Sequence, residues 1–171
     1  WLNNLSTNNA QKEYYLTDIV HMAVKENVAI TSEQPDFSWE VEGVNTKVQL
    51  AELERVYQKN SALQLLAKGV HLADLNRFDV RGNLSCGRDV FIDVNCVFEG
   101  QVFLGDNVHI APNCVIKNAT IGANVRVEAF SHIEEAVIGA SAKIGPFARL
   151  RPGANLCENT HIGNFVEIKK S

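Results

Sequence analysis

From Val80 onward an aliphatic or similarly buriable residue returns every six positions along the chain. The marks are Val80, Cys86, Ile92, Phe98, Leu104, Ile110 and Ile116, then Ile121, Val127 and Ile133, then Ile138, Ile144, Leu150, Leu156, Ile162 and Ile168. Only the steps Ile116–Ile121 and Ile133–Ile138 are five residues long. Four positions after most marks stands a small or β-branched residue: Val90, Cys96, Val102, Val108, Cys114, Thr120, Val125, Ser131, Ala142, Ala148, Ala154, Thr160 and Val166. A period of six matches neither a helix of 3.6 residues per turn nor the two-residue alternation of a long strand. It matches a three-sided prism in which each flat side uses one hexapeptide and a coil closes after about eighteen residues. Each short strand then turns its mark inward, with a smaller residue inward near the corner, and stacked coils build one continuous core. Asn and Gly recur between the strands, where corners need left-handed or tight backbone. An ordinary β-sandwich would show irregular turn signals and alternating strands instead. The predicted class is mainly β: a left-handed parallel β-helix of hexapeptide repeats over residues 69–171.

The first part of the chain has a different texture. Thr17-Asp18 predicts the start of a short helix with Ile19, Val20, Ala23 and Val24 on its apolar face, followed by a strand at Val28-Ala29-Ile30 and an extended stretch through Trp39, Val41 and Val44. At Thr46-Lys47-Val48-Gln49 a T-x-x-Q capping box opens a helix of about twenty residues, with Leu50, Leu53, Val56, Tyr57, Leu63 and Leu66 at helical spacing. No second helix is available to pack on it, so residues 48–68 are expected to join two units. Residues 1–47 are too few to hold a sizeable core and are expected to be the α/β tail of a larger domain. The chain is accordingly expected to be a piece of a longer protein.

Composition narrows the partners. A formal net charge of −4 without a basic run gives no reason to expect nucleic acid or an anionic membrane. No apolar run approaches the roughly 18 residues of a membrane span and no signal-peptide pattern opens the sequence, so a cytoplasmic location is expected. Cys86, Cys96, Cys114 and Cys157 show no C-x-x-C pairing; three of them occupy repeat positions that face inward, which suits small core residues better than a disulfide frame or a zinc site.

Five stretches carry a resemblance to a known family: Asn8-Asn9-Ala10-Gln11-Lys12-Glu13-Tyr14-Tyr15-Leu16-Thr17-Asp18, Val41-Glu42-Gly43-Val44-Asn45, Leu53-Glu54-Arg55-Val56-Tyr57, Gly145-Pro146-Phe147-Ala148-Arg149-Leu150-Arg151-Pro152-Gly153-Ala154 and Gly163-Asn164-Phe165-Val166-Glu167-Ile168-Lys169-Lys170. In this order and spacing they resemble the bacterial bifunctional N-acetylglucosamine-1-phosphate uridyltransferase / glucosamine-1-phosphate N-acetyltransferase family, of which the chain would be a central fragment. The resemblance implies an enzyme that acetylates glucosamine-1-phosphate with acetyl-CoA on its β-helix. It then couples N-acetylglucosamine-1-phosphate to UTP in the preceding nucleotidyltransferase domain, yielding UDP-N-acetylglucosamine for cell-wall and lipopolysaccharide synthesis. It implies that Asn45 binds the sugar nucleotide and Mg2+ together with an earlier aspartate, a donor set suited to a hard cation. Tyr15 and Thr17 would lie near the acetylamino-sugar, although Lys12 departs from the glycine usual in the family. The general-base histidine and most of the acetyl-CoA groove would follow residue 171, so neither reaction is expected of this chain alone. A homotrimer is also implied; outward apolar residues such as Phe91, Phe103 and Phe130 agree with it. The competing class of function is a non-catalytic trimerising solenoid module.

The repeat also makes a site argument of its own. The positions just after the marks of one face form a column: Arg81, Glu99, Lys117, Glu134, Arg151, Lys169. Signs alternate for four coils and then fail. Two neighbouring cations, with Arg149 close by, repel unless an anion sits between them, and a guanidinium beside an ammonium suits phosphate; equally, an acid from the next coil would compensate. The resemblance assigns the residues matching Arg151 and Lys169 to the sugar phosphate. A three-histidine zinc site within the chain is excluded by spacing: His109 and His161 are placed two coils, roughly 10 Å, apart, with His132 elsewhere.

Overall fold

The computed structural model describes residues 1–170. The chain divides into two units, Trp1–Gly43 and Val44–Ser171, each described by itself.

The first unit holds one α-helix, α1 (Asp18–Lys25), and two 3-10 turns, Leu2–Asn4 and Ser38–Val41. Thr17 sits at the N-cap but with helical backbone angles and no side-chain cap bond, so α1 starts without the anchor expected of it. Ala23 is the one buried residue described in this unit, while Val20 and Val24 of the predicted apolar face are exposed. Val28–Ile30 forms no strand, and Trp39 and Val41 lie in the second 3-10 turn. The reason is one of partners: a strand needs a neighbour for its N–H and C=O groups, and no other strand is described in these residues.

The second unit opens with α2 (Lys47–Ala67). The capping box is present: the Gln49 N–H donates to Thr46 Oγ1 (3.2 Å), and Gln49 Oε1 accepts from the N–H groups of Thr46 (3.0 Å) and Asn45 (2.9 Å). Its packing face differs from the predicted one. Gln58, Ala62 and Leu65 are buried, at i, i+4 and i+7, whereas Leu50, Tyr57, Leu63 and Leu66 are exposed. Ala62 and Leu65 join the solenoid core. Gln58 does what the next strand of a sheet would do: its Nε2 donates to the Val80 carbonyl (2.8 Å) and its Oε1 accepts the Val80 N–H (2.7 Å). Helix α2 therefore lies against the first coil and satisfies its open backbone edge, which would otherwise leave buried polar groups unpaired.

The rest is a parallel β-helix. One face stacks His71–Leu72, Phe91–Ile92, His109–Ile110, Arg126–Val127, Lys143–Ile144 and His161–Ile162, all parallel and in register. Phe78–Cys86 and Cys96–Leu104 each bend round a corner and so belong to both other faces. The second face continues through Val115–Lys117, His132–Glu134, Arg149–Leu150 and Glu167–Ile168; the third continues through Thr120–Ile121, Val137–Ile138 and Asn155–Leu156. Every mark from Val80 to Ile162 is buried except Cys86, which is half-buried like the terminal Ile168. Cys96 and Cys114 are buried as expected, and all four cysteines are free; burial pushes the Cys86 thiol up to about 12.

The five-residue steps correct one assignment. Thr120 is exposed and Ala119 is buried; at the other short step Ala136 is buried and Val137 exposed. The small inward residue holds its distance to the following mark, because the corner that precedes a strand is built backward from that strand. A shortened side therefore loses a position just after its first mark.

Candidate functional site

The second face carries the charged column. Its register aligns Arg81 with Glu99, Glu99 with Lys117 and Lys117 with Glu134. Arg81 Nη1 is 3.0 Å from Glu99 Oε1, and Lys117 Nζ is 3.2 Å from Glu134 Oε1. That hydrogen bond, with the charge of Glu134, raises the Lys117 ammonium above its ordinary value. These are exposed ladder pairs, which solvent screens and which contribute little to stability.

At Arg151 the pattern changes. Leu150 stacks on Ile133 and under Ile168, so Arg151 stands between Glu134 and Lys169 in the column. No ion pair of Lys169 is found among the described residues. Charge compensation comes from the side: Glu167, in register with Arg149, places Oε1 3.9 Å from Arg149 Nε and 3.7 Å from Arg151 Nη1. Sequence spacing had offered either a bare cation pair or an acid from a further coil. The structure sets Arg149 and Arg151 against one carboxylate, and Lys169 follows Arg151 in the column without an ion pair of its own among the described residues. Glu167 thus lies within ion-pair distance of both guanidinia, and the cluster carries an excess of positive charge. Beside them Gly153 has φ +86, and a Cβ there would lie 3.3 Å from Lys170 Cγ, so the bare backbone gives room to a further cationic side chain. Glu167 was missed because it lies two positions before Lys169 in sequence; the Arg149–Glu167 register is the signal that could have found it.

The other predicted residues lie apart from this cluster in the chain. Asn45 is exposed, and only its backbone N–H is engaged, by Gln49 Oε1. Thr46 is the cap, which leaves the Asn45 side chain with no structural task on α2. In the first unit Tyr15 is half-buried and its hydroxyl donates to Gln11 Oε1, while Thr17 is exposed. Asn45 offers a single amide oxygen, and no group of three His, Cys, Asp or Glu able to hold a metal occurs among the described residues. A Mg2+ site is not made by these residues alone.

The histidines need one correction. His109 and His161 share a face and are separated by Arg126 and Lys143, three strand steps or roughly 14 Å, rather than two. His132 lies on the second face, so the zinc arrangement fails by a wider margin. Phe91 is half-buried between His71 and His109, with ring centroids at 5.0 and 4.6 Å, and is not a free outward group.

Residues 80–171 match the family model described as the GMPPB C-terminal domain. The chain belongs to that family. Over all 171 residues it is 64% identical to the Bifunctional protein GlmU of Janthinobacterium sp. (strain Marseille) and 59% identical to that of Burkholderia vietnamiensis (strain G4 / LMG 22486); in each case it spans 38% of the relative's length. The resemblance read from five motifs thus extends along the whole chain. Among solved structures, the acetyltransferase domain of PglB from Neisseria gonorrhoeae FA1090 in complex with acetyl coenzyme A aligns with 82% of this chain and 78% of its own, at 14% identity and a TM-score of 0.53. That likeness is one of fold. No helix of the described residues is long and apolar enough to cross a membrane.

Proposed function

We propose that the chain is part of a bifunctional enzyme of UDP-N-acetylglucosamine biosynthesis. Its β-helix would help transfer acetyl from acetyl-CoA to glucosamine-1-phosphate, and its first residues would belong to the domain that transfers uridyl from UTP to N-acetylglucosamine-1-phosphate. The observation that carries this reading is the break in charge alternation at Arg151 and Lys169, in a chain kin to GlmU proteins over its full length. The phosphate of glucosamine-1-phosphate would take the Arg151 fork and the Lys169 ammonium, drawing Arg151 away from Glu167. These residues bind and orient; the base that accepts the amine proton, and most of the acetyl-CoA groove, would come from outside this chain. Asn45, Tyr15 and Thr17 would contact the sugar nucleotide, with Asn45 lending one oxygen to Mg2+ beside a carboxylate supplied elsewhere. A homotrimer in the cytoplasm is the expected working form, and the isolated chain would catalyse neither reaction. The alternative, a non-catalytic trimerising solenoid, draws on the exposed Phe103 and Phe130.

Two substitutions in the full-length parent test the assignment. Arg151→Ala should lower kcat/KM for glucosamine-1-phosphate by about tenfold to a hundredfold, the loss of one charge-assisted contact, mainly through KM, and leave uridyl transfer intact. Asn45→Asp should change uridyl transfer and its Mg2+ dependence and leave acetyl transfer intact. Equal loss of both activities from either variant would mean a folding defect; normal acetyl transfer by Arg151→Ala would remove the phosphate role of Arg151, and only a wild-type parent without acetyl transfer would favour the non-catalytic module.

A further inference from the structure

Charged neighbours on the second face are paired in two different ways. In the early coils a cation and the acid in register with it meet at hydrogen-bond distance, 3.0 Å for Arg81–Glu99 and 3.2 Å for Lys117–Glu134. In the last coils one acid is shared by two cations. Arg149 and Arg151 flank the fully buried Leu150, so both guanidinia stand on the outer surface, and Glu167 lies across from Arg149. The same carboxylate oxygen, Oε1, is the nearest to both, 3.9 Å from Arg149 Nε and 3.7 Å from Arg151 Nη1. Neither is a hydrogen-bond distance. The carboxylate leans away from its register partner toward the diagonal one and closes on neither.

This spacing sets Arg149 apart from a simple ladder residue. On its other side the register places it against His132 rather than an acid, and Glu167 is its one ion-pair partner among the described residues. A pair built for the ladder alone would close to the 3.0–3.2 Å of the earlier coils. A carboxylate held loosely between two guanidinia passes from one to the other by a small side-chain motion. Such a transfer matters to a phosphate. While Glu167 compensates Arg151, an incoming phosphate meets a cation already neutralised and a carboxylate of its own sign, and like charges this close repel. Phosphate on Arg151 therefore requires that Glu167 find another counter-ion, and Arg149, directly across from it, is the cation in place.

Resting on the phosphate contact of the proposed function, we propose that Arg149 is a positioning residue for glucosamine-1-phosphate, which takes Glu167 over from Arg151 as the phosphate binds. Glu167 closes on Arg149, and Arg151 and Lys169 are left to the phosphate. No covalent bond changes and no proton moves. Arginine suits the post because its charge is permanent and its fork can engage both oxygens of a carboxylate.

The test is a double-mutant cycle in the full-length parent, read as the dissociation constant of glucosamine-1-phosphate by titration calorimetry and as KM and kcat for acetyl transfer. Arg149→Ala leaves Glu167 to Arg151 alone and should weaken binding about threefold to tenfold, the low end of coupling within one charge network, with the loss in KM more than in kcat. In a Glu167→Gln background no carboxylate has to be held, and the same change should alter binding less than about twofold. Arg149→Lys keeps the charge and should recover part of the affinity. Uridyl transfer and melting temperature report folding; if Arg149→Ala lowers both, Arg149→Gln, which keeps most of the stem, replaces it in the cycle. An equal loss in the two backgrounds would make Arg149 a direct ligand of the phosphate and overturn the inference. Binding unchanged or tightened by Arg149→Ala would overturn it as well. An unchanged dissociation constant in Arg151→Ala would remove the phosphate reading itself, whereas a response to Arg151→Ala without coupling between Arg149 and Glu167 would remove only the handover.

Discussion

Residues 1–43 and the solenoid spend similar apolar side chains to opposite effect. The first unit contains Trp1, Leu2, Tyr14, Leu16, Val20, Val24, Val28, Ile30, Phe37 and Val41, all exposed, and buries Ala23. The solenoid buries every mark from Ile92 to Ile162. Apolar content alone does not decide burial. In the solenoid each inward residue meets its counterpart one coil away, so a short strand of two residues finds both backbone partners and core neighbours at once. In the first unit no pairing is available to gather the side chains, and α1 is left with a stripe facing water.

The largest effect that separates the two regions should come from truncating a single side chain. Leu104 is fully buried in the solenoid, and Leu104→Ala should cost about 2–5 kcal/mol through lost transfer energy and a cavity that stacked coils cannot close. Val24→Ala, at a residue 59% exposed, should stay within about 0.5 kcal/mol. Denaturant unfolding of the two variants beside the wild type measures both; equal losses would break the contrast.

A smaller effect should mark the boundary of the solenoid. Gln58→Ala leaves the buried N–H and C=O of Val80 without partners, and each unsatisfied group costs about 1–3 kcal/mol. Gln58→Glu loses the donor to the Val80 carbonyl and sets a second, buried carboxylate against Glu54, to which Gln58 Nε2 also donates at 2.8 Å, so it should cost at least as much as Gln58→Ala. Hydrogen exchange at Val80 reads the local consequence: protection should drop in Gln58→Ala more than at Phe98, one coil further in. A variant as stable as wild type would show that α2 lies against the coil without holding it.

Legibility followed the same contrast. The six-residue ruler was readable because stacking makes burial periodic, and the T-x-x-Q box because capping is local. Thr120 was assigned inward by counting forward from Ile116, whereas the corner is set from Ile121 backward. The face of α2 was misread because apolar spacing selects leucines, while an open sheet edge asks for an amide, Gln58, and a small residue, Ala62. The strand expected at Val28–Ile30 needed a partner that local sequence cannot reveal. At the candidate site Arg151 and Lys169 were visible as a broken alternation, but Glu167 required the register that sets it opposite Arg149.

The smallest effect concerns charge between coils. All ion pairs among the described residues lie between residues 55 and 167, so acid should weaken the solenoid side of the comparison selectively. Asp106 is the clearest case. The Arg88 N–H donates to its Oδ1 at 2.8 Å and the Arg88 Nη2 to its Oδ2 at 3.0 Å, and these bonds hold the carboxyl below its ordinary 3.8. A depressed carboxyl adds stability above its unfolded value and loses it as pH falls through the folded one. Arg88→Ala should therefore be slightly less stable than wild type above about pH 4, and the gap in melting temperature should close as the medium is acidified below that. In a carboxyl titration followed by NMR, Asp106 should move up in Arg88→Ala yet stay below its ordinary 3.8, because the backbone N–H of residue 88, the main cause of the lowering, still donates to Oδ1. Both atoms of the bridge sit at an exposed corner, so salt should shrink the gap as well. A difference that persists unchanged into acid would mean that Arg88 acts through packing of its stem against the neighbouring coil, and that charge contributes nothing to the contrast between the two regions.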